Sequence, residues 1–401
     1  MMNIFVINSG SSSIKYQLIQ MPTAHLICSG LVERIGFENA VITHKVYRNQ
    51  NEEVIQQIQP LANHAEGLQA VNLLLTNAEK GVIKNPNEIH VVGHRVVHGG
   101  EHFAATTIVS DAVKEQIKNL FSLAPLHNPA NLLGIEVAEK IFTQATQIAV
   151  FDTAFHQTIP AVAYRYAIPN QLYNEYGIRL YGFHGTSHKY VAEQTIAYLQ
   201  NPSAKIITVH LGNGCSMAAI KDGKCVDTSM GFGPMNGLVM GTRSGDIDQS
   251  VIFYLVNQLG YSIQDVNTLL NKQSGMFGLT GLSDMRDIKT AIEKGDAQAK
   301  LAYEMYAYRI KKYIGSYVAV LNGIDALVFT AGVGENDALT RSFVLENLGY
   351  LGITIDENRN TTKQVGIKEI QQTAATVKVL VVPTNEELEI ATQCFNLVGA
   401  L

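Results

Sequence analysis

The segment from Asn3 to Gln20 reads NIFVINSGSSSIKYQLIQ, which is a β-branched run, a turn of small hydroxyl residues and a second β-rich run. Alternating apolar residues bounded by Gly and Ser clusters are typical of strands joined by short turns. Two more such runs, LICSGLVERI and AVITHKVY, follow within the first fifty residues. We therefore predict that the chain opens with an antiparallel β-meander.

The same pattern restarts at Lys205. There the run KIITVHLG is followed by the turn NGCS, the run MAAI, the turn KDGK and the run CVDTSM. A strand that again leads into a small-residue turn and out into another strand indicates a structural duplication. We place the boundary between the two copies near residue 152.

Helical and strand-like segments lie between and after the two meanders. Asn128 is expected to cap a helix that has Pro129 at its first position, since Pro is favoured there. The apolar periodicity predicts, in chain order, a helix over 64–80, strands over 89–97 and 146–153, helices through 248–320, strands over 324–334 and 377–383, and a terminal helix.

Composition limits the classes of function. With 401 residues and 46% apolar side chains, the chain exceeds what one core usually organises, so two domains with a ligand cleft are expected. The net charge of -5 gives no basic field for nucleic acid and favours a small-molecule ligand. The four cysteines show no C-x-x-C pairing and are expected to be reduced. We see no signal-like N-terminus or spanning segment, so we expect a cytoplasmic protein without membrane contact.

Three small-residue turns follow apolar strands. Asn8 to Lys15 reads NSGSSSIK, and its backbone N–H groups, hydroxyls and lysine suit a phosphate. The turns at 210–214 and 332–336 each place glycines where the backbone can approach a ligand closely. One such turn is weak evidence, but three at strand ends predict a bound nucleotide.

Other segments offer charged groups for phosphoryl transfer. Arg95 stands at a strand end before Gly99-Gly100, where a guanidinium can bind a carboxylate or phosphate in bidentate fashion. Asp152 directly follows an apolar strand, Arg243 lies between glycines, and His184 precedes Thr186, a candidate helix cap. Two arginines, one histidine and one aspartate form a set suited to phosphoryl transfer.

Four histidines recur at a spacing of four in the same region, at positions 90, 94, 98 and 102. Four residues of strand span about 13 Å, whereas zinc ligands lie about 2 Å from the metal. These histidines therefore cannot share one metal ion, and a structural role is expected for most of them.

Eight strings, taken in order, resemble the acetate kinase family over nearly the whole chain: NSGSSSIKY, GHRVVHGGE, FDTAFH, YGFHGTSH, HLGNGCS, GTRSGDID, AGVGEN and PTNEEL. The resemblance implies an α/β fold with two duplicated ribonuclease-H-like domains of the actin-like ATPase superfamily and a cleft between them. The expected domains are 1–151, completed by a helix at about 386–401, and 152–385, which carries most of the nucleotide site.

The resemblance also implies roles for individual residues. It implies Asp152, His184, Arg243 and Arg95 as catalytic residues. The acetate site would comprise Arg95, Val97, Leu126, Phe183 and Pro234. ATP would contact Lys15, His210, Leu211, Gly212, Asn213, Gly214, Asp284, Met285, Arg286, Gly332, Val333, Gly334, Glu335 and Asn336. Mg²⁺, for which Mn²⁺ could substitute, would lie near Asn8 and Glu386.

The implied reaction is reversible transfer of the γ-phosphoryl group of ATP to acetate, giving acetyl phosphate and ADP, in a homodimer formed through the second domain. A carboxylic acid of pKa about 4.3 is already ionised at pH 7, so no general base is required. We therefore hypothesise that Asp152 orients the metal or its waters, or positions an arginine. Gly233, where the family pattern leads us to expect Thr, leaves the acyl preference open.

Three alternatives remain at this stage. A propionate kinase of the same family would differ only in its acyl pocket. A sugar or glycerol kinase would need a hydroxyl-activating base and polar sugar contacts, whereas the candidate pocket is apolar. A chaperone-like or cytoskeletal ATPase would leave Arg95 and Phe183 without a role.

Overall fold

The computed structural model describes residues 1–48 and 51–400 and divides the chain into two compact units. The first unit comprises Met1–Phe155 and Asn385–Leu401, and the second comprises His156–Thr384. Each unit has its own mixed β-sheet with helices packed on it, so the α/β prediction is confirmed. None of the helices in the described residues is long and apolar enough to cross a membrane.

The first unit is built on an eight-stranded sheet in the order β5-β4-β3-β2-β1-β6-β8-β7. Its strands are β1 (Met2–Ser9), β2 (Ser13–Met21), β3 (His25–Glu33), β4 (Ala40–Arg48), β5 (Asn51–Gln59), β6 (Val91–Val96), β7 (Thr107–Ile108) and β8 (Thr146–Phe151). Its helices are α1 (His64–Leu75), α2 (Asp111–Asn119), α3 (Asn128–Ile141) and α15 (Glu386–Gly399), with a 3₁₀ turn at Pro86–Glu88 and another, shared with the second unit, at Ala154–Thr158.

The second unit is built on a six-stranded sheet in the order β11-β10-β9-β12-β14-β13. Its strands are β9 (Lys205–Leu211), β10 (Cys215–Lys221), β11 (Lys224–Thr228), β12 (Ala326–Thr330), β13 (Lys368–Glu369) and β14 (Lys378–Val381). Its helices are α4 (Ala161–Tyr164), α5 (Asn170–Tyr176), α6 (Gly185–Leu199), α7 (Ser250–Asn257), α8 (Ile263–Lys272), α9 (Gly275–Thr280), α10 (Met285–Glu293), α11 (Ala297–Leu321), α12 (Ala331–Asn336), α13 (Ala338–Leu345) and α14 (Glu357–Thr361), with a 3₁₀ turn at Gly349–Leu351.

The two sheets share one topology. In each, an antiparallel meander (β3-β2-β1 or β11-β10-β9) continues into two parallel strands (β6-β8 or β12-β14) and ends in a short antiparallel strand (β7 or β13). The opening meander, the restart at Lys205 and the structural duplication are therefore confirmed. The first sheet extends the pattern by β4 and β5.

Strand alternation in β1 sorts the core of the first unit into two layers. Phe5 and Ile7 face the cluster that includes residues of α1 and α3, whereas Ile4 and Val6 face the cluster that includes Ile390 of α15. Successive strand residues point to opposite faces, so a strand covered on both sides must be apolar throughout its centre. The helix that begins at Glu386 thereby covers one face of the first sheet.

Three local predictions are wrong. Asn128 does not cap α3; it is the first helical residue, and its buried amide bonds the backbone of His98. Thr186 does not cap α6, which begins at Gly185 with His184 at the cap position. The segment 332–336 is not an open turn but most of the short helix α12. For Asn128, the tertiary contact with His98 overrides the local capping preference.

Gly93 gives a test of how α15 packs on the first sheet. A Cβ at this position would lie 2.9 Å from Cys394 Sγ and 2.9 Å from Ile390 Cγ2. We expect Gly93→Ala to lower the free energy of unfolding by about 1–3 kcal/mol, the usual cost of overpacking, in urea titrations followed by circular dichroism. Gly399→Ala is the matched control, because a Cβ there meets open space. Equal stability of Gly93→Ala and the parent protein would contradict this packing.

Candidate active site

The predicted site residues fall into two groups, one in each unit. The first unit carries Asn8, Lys15, Arg95, Val97, Leu126, Asp152 and Glu386. The second carries Phe183, His184, Pro234, Arg243 and the segments 210–214, 284–286 and 332–336. The structure brings several members of each group into direct contact.

Arg95 and Asp152 form a paired charge at the ends of two neighbouring strands. Arg95 is near the end of β6, Asp152 follows the last residue of β8, and the two strands are parallel. Asp152 accepts hydrogen bonds from Arg95 Nε at 3.1 Å to each carboxylate oxygen and from Nη2 at 2.6 Å. The carboxylate is 1% exposed and the guanidinium 20% exposed. Asp152 therefore fixes the orientation of Arg95.

Further carboxylates surround this pair. Glu386 Oε2 lies 3.9 Å from Arg95 Nε, and Glu387 Oε1 lies 2.6 Å from Lys15 Nζ. Burial alone would lower the pKa of Arg95, but the charges of Asp152 and Glu386 raise it above its ordinary value. Burial raises the pKa of Glu386, against the lowering effect of Arg95. Arg95 therefore carries its charge throughout the physiological range.

Two buried asparagines on α3 hold the backbone that follows β6. Asn131 Oδ1 accepts from Val97 N at 3.0 Å, and Asn131 Nδ2 donates to Ser9 O at 2.8 Å. Asn128 bonds both backbone groups of His98, at 3.0 and 2.9 Å. Asn131 was not predicted from the sequence as a residue that holds this backbone. Two amides three residues apart on one face of a helix are nevertheless a signal of that role. Of the two apolar residues predicted for the acetate site in this unit, Val97 is buried, whereas Leu126 is 63% exposed.

The histidines spaced by four have separate partners. His90 Nδ1 accepts from the backbone of Asn3 at 3.1 Å, and His94 Nε2 donates to Gln147 at 2.8 Å. Burial lowers the pKa of His94 and of His98 to about 4, so both rings are neutral at pH 7. Within residues 1–48 and 51–400, no three His, Cys, Asp or Glu side chains cluster in a way that could hold a metal ion.

Phe183 and His184 lie on a bent segment of the second unit. Gly182 and His184 have positive φ angles of 79° and 58°. A Cβ at Gly182 would lie 2.6 Å from atoms of both His156 and Thr228, so only glycine fits there. Phe183 is 3% exposed, and its carbonyl accepts from His156 Nε2 at 2.9 Å. His184 therefore enters α6 in a left-handed conformation that non-glycine residues rarely adopt.

His184, Arg243 and the 210–214 segment are neighbours. A Cβ placed on Gly214 would lie 3.4 Å from His184 Nε2 and 3.8 Å from Arg243 Nη1. The ring of His184 stacks on that of His210 at 4.3 Å, and Arg243 Nη1 donates to the carbonyl of Pro234 at 3.0 Å. Burial lowers the pKa of Arg243 from its ordinary value, yet a guanidinium stays charged at neutral pH. Two groups that can bear positive charge thus flank one glycine turn.

A cavity of about 660 Å³ opens in the second unit. It includes eight residues predicted for ATP: Gly212, Asn213, Asp284, Met285, Arg286, Gly332, Val333 and Asn336. The remaining residues of its lining were not predicted from the sequence to contact ATP; they are Gly241, Met276, Ser283, Lys289, Tyr306 and Asp337. The predicted residues His210, Leu211, Gly214, Gly334 and Glu335 are not part of its lining. Glu335 accepts from the backbone of Ala331 and Thr384, which is a structural contact.

The sequence profile of the Acetokinase family matches residues 3–392. The chain belongs to the acetokinase family. It is 58% identical to an acetate kinase of Flavobacterium johnsoniae over 99% of both chains, and 48% identical to acetate kinase 2 of Clostridium perfringens over 99% of this chain and 100% of that protein. The predicted family resemblance is confirmed.

Solved structures in the acetokinase family have the same fold. An acetate kinase from Porphyromonas gingivalis superimposes with a TM-score of 0.93 at 41% identity, covering 99% of this chain and 100% of that chain. A propionate kinase from Francisella tularensis gives 0.91 at 41% identity, covering 98% and 99%. Family membership leaves the sugar-kinase and chaperone-like alternatives without support.

Asp152 gives a test of the buried charge pair. We expect Asp152→Asn to lower the free energy of unfolding by about 2–4 kcal/mol at pH 7, because it leaves the Arg95 charge without its main counter-ion. The measurement is chemical denaturation of the purified protein. As control, Glu52→Gln breaks an exposed pair with Lys45 and should leave stability unchanged. An Asp152→Asn protein as stable as the parent would contradict the importance of this pair.

Proposed function

We propose that this chain is an acetate kinase that transfers the γ-phosphoryl group of ATP reversibly to acetate, giving acetyl phosphate and ADP. The observation that carries the proposal is full-length identity of up to 58% with proteins named acetate kinase. Since ATP is a cytoplasmic metabolite, the proposed location is the cytoplasm.

Arg95 binds the acetate carboxylate in this proposal. Asp152 occupies the Nε and Nη2 edge of the guanidinium, and the Nη1 side serves the ligand. Because acetate is ionised at pH 7, Asp152 acts by holding Arg95 in place, without taking a proton. In the same unit as Arg95, Val97 and Leu126 supply apolar surface for the methyl group, and Phe183 and Pro234 are the predicted pocket residues of the second unit.

The predicted site residues of the second unit offset negative charge. Two anions meet in this reaction, so the main task of the protein is to offset negative charge on the transferring phosphoryl group. Arg243 and His184 flank Gly214, where they can offset the negative charge of the phosphoryl group. The 660 Å³ cavity accommodates the nucleotide. The protein contribution is therefore positioning and fixed positive charge.

Asn8 and Glu386 offer an amide oxygen and a carboxylate, which are ligands that Mg²⁺ prefers. Mg²⁺ is commonly held by one or two protein oxygens together with substrate phosphates, so this small donor set fits it; Mn²⁺ accepts the same ligands. When bound, the ion would neutralise phosphate charge. Beside Asn8 and Glu386, Lys15 forms an ion pair with Glu387.

Propionate kinase remains the second candidate for a specific reason. Gly233, beside the predicted pocket residue Pro234, stands where Thr is expected for the family, and a Cβ added there meets nothing within 4 Å. The Francisella propionate kinase is also as identical to this chain as the Porphyromonas acetate kinase. One methylene in an apolar pocket is worth only about 1–3 kcal/mol, so substrate preference is a matter of degree.

The decisive experiment is hydroxamate trapping of the acyl phosphate with ATP and Mg²⁺, comparing kcat/KM for acetate, propionate and butyrate, with glycerol as control. Acetate is expected to be best, with activity falling at each added methylene. A higher kcat/KM for propionate would favour the second candidate. Absence of hydroxamate with every acid would overturn the proposed function.

Val97 gives a test of the acyl pocket. We expect Val97→Ala to raise the ratio of kcat/KM for propionate to that for acetate by about tenfold, because the smaller side chain leaves room for one more methylene. Val365→Ala, at a fully exposed position, is the matched control and should leave the ratio unchanged. An unchanged ratio in Val97→Ala would show that Val97 does not limit acyl length.

The proposed homodimer uses the face around α7. Every residue of α7 in the described structure stays at least partly exposed, including Val251, Phe253 (65%) and Tyr254 (58%). Leu259, Tyr261 and Ile263 continue this exposed apolar surface along the chain. A surface of this kind usually marks a protein contact, and a second copy of the chain is the proposed occupant.

Phe253→Asp tests this face, because a charge buried without a partner opposes association. Sedimentation velocity should show a dimer for the parent protein and a monomer for Phe253→Asp. Ile58→Asp, at a 69% exposed position in the first unit, is the control and should remain dimeric. A Phe253→Asp protein that still sediments as a dimer would place the interface elsewhere.

A further inference from the structure

The loop that carries Arg243 is closed at its base. Asp246 N donates to Gly237 O at 3.0 Å, and Gly237 N donates to Oδ1 of the Asp246 side chain at 2.8 Å. Two hydrogen bonds between the same two residues thus join the ends of the segment 237–246. We call Gly237 and Asp246 the loop base.

The loop base is bonded to α11. Arg309 Nη1 donates to Gly237 O at 2.9 Å, and Arg309 Nη2 donates to Asp246 O at 3.0 Å. Tyr313 OH donates to Asp246 Oδ2 at 2.7 Å. Arg309 and Tyr313 are four residues apart on one helix, so their side chains lie on the same face. One planar guanidinium therefore bridges the two ends of the loop, and the Tyr313 hydroxyl fixes the carboxylate that joins them.

The tip of the loop has a separate anchor at the start of α9. Ser274 N donates to Thr242 O at 3.1 Å, and Phe277 N donates to Gly241 O at 2.9 Å. These bonds hold the backbone that directly precedes Arg243, and they hold Gly241, which lines the 660 Å³ cavity. The backbone at the tip is therefore fixed by bonds that do not involve the loop base.

The guanidinium of Arg243 depends on both anchors. Arg243 Nη1 donates to the carbonyl of Pro234 at 3.0 Å, and Pro234 lies three residues before Gly237. The contacts with α9 set where the Arg243 side chain begins, and the loop base sets where the carbonyl that accepts its hydrogen bond lies. A shift of the loop base would therefore change the direction of a guanidinium that lies beside Gly214.

We propose that Arg309 and Asp246 are positioning residues that direct the guanidinium of Arg243 by holding the loop base on α11. This inference rests on the proposed function, in which Arg243 offsets charge on the transferring phosphoryl group. A positive charge that is already in place when the transition state forms needs no reorganisation at that moment. The hydrogen bonds of the loop base therefore contribute to the rate through the position of Arg243.

Arg309 and Asp246 belong to a different cavity from the one proposed for the nucleotide. With Tyr313 they line a groove of about 530 Å³ between α11 and the segment 246–248. The described linings of this groove and of the 660 Å³ cavity have no residue in common. The two residues therefore act through the loop and do not touch the nucleotide.

The first test needs no substrate. Hydrogen–deuterium exchange of the full-length protein, measured by mass spectrometry, reports how firmly the loop base is held. We expect Arg309→Met to speed exchange at the amides of Gly237 and Asp246 by about tenfold or more, because both amides donate within the loop base. Peptides that cover 275–280 should exchange at the parent rate. Unchanged exchange over 237–246 would overturn the proposal.

The second test measures coupling to Arg243. In the parent background, Arg309→Met should lower kcat by about 10- to 100-fold, the range for a displaced functional group, with KM for ATP changed by less than about twofold because Gly241 keeps its own anchor. In the Arg243→Ala background, the same change should lower kcat by less than about twofold. Arg309→Lys, which keeps donors at this position, should lose less kcat than Arg309→Met. Equal losses from Arg309→Met in both backgrounds would show a general structural role and overturn the proposal.

Tyr313→Phe keeps the test decisive if Arg309→Met does not fold, because it removes a single hydrogen bond from the loop base and retains the ring. It should lower kcat by about threefold or more in the parent background. In the Arg243→Ala background it should have no effect on kcat. The same loss in both backgrounds would contradict an action through Arg243.

Lys312→Met is the matched control. Lys312 is exposed, lies on the same helix as Arg309 and lines the same groove, and its described contacts include no bond to the loop. It should leave exchange and kcat unchanged. A loss of kcat equal to that of Arg309→Met would show that positive charge on α11 matters and not the bonds to the loop base, which would overturn the proposal. If the parent protein forms no acyl phosphate, the proposed function fails, while the exchange measurement still decides whether Arg309 holds the loop base.

Discussion

The hydrogen-bonded pair of Arg95 and Asp152 is the interaction on which the first unit's site depends. A carboxylate that is 1% exposed is tolerated only with a close cation and full hydrogen bonding, and Arg95 supplies both. The parallel pairing of β6 with β8 places the two residues at one edge of the sheet. The same requirement explains why Glu386 and Lys15 gather there, each near a charge of opposite sign.

The N-terminus of α15 contributes to this balance. Its first turn contains Glu386, Glu387 and Glu389, and carboxylates are favoured at a helix N-terminus because the helix dipole is positive there. The helix is held on the sheet by the apolar contacts of Ile390 and Cys394. A late segment of the chain thereby completes the electrostatic surroundings of an arginine that lies almost three hundred residues earlier.

The sequence allowed prediction of what depends on local patterns. Alternating apolar runs and their repetition after Lys205 sufficed for the meanders and the duplication, since strand patterning and turn composition are local properties. The prediction of Asn128 as a cap failed because the local preference of this polar residue competes with a tertiary partner, the backbone of His98. The helix pattern around Asn131 carries a signal of a buried polar role, but its partners, the backbone of Val97 and of Ser9, could not be predicted because they become neighbours only once distant segments meet.

Asn131 illustrates a wider property of this architecture. It holds the backbone at Val97 and at Ser9 through its side-chain amide, so the position of the main chain there does not depend on the side chain at residue 97. The wall of the proposed acyl pocket can therefore change identity while its scaffold stays in place. Such separation of framework from contact surface makes a protein evolvable: new acyl preferences can arise by single substitutions without remaking the machinery that handles phosphate.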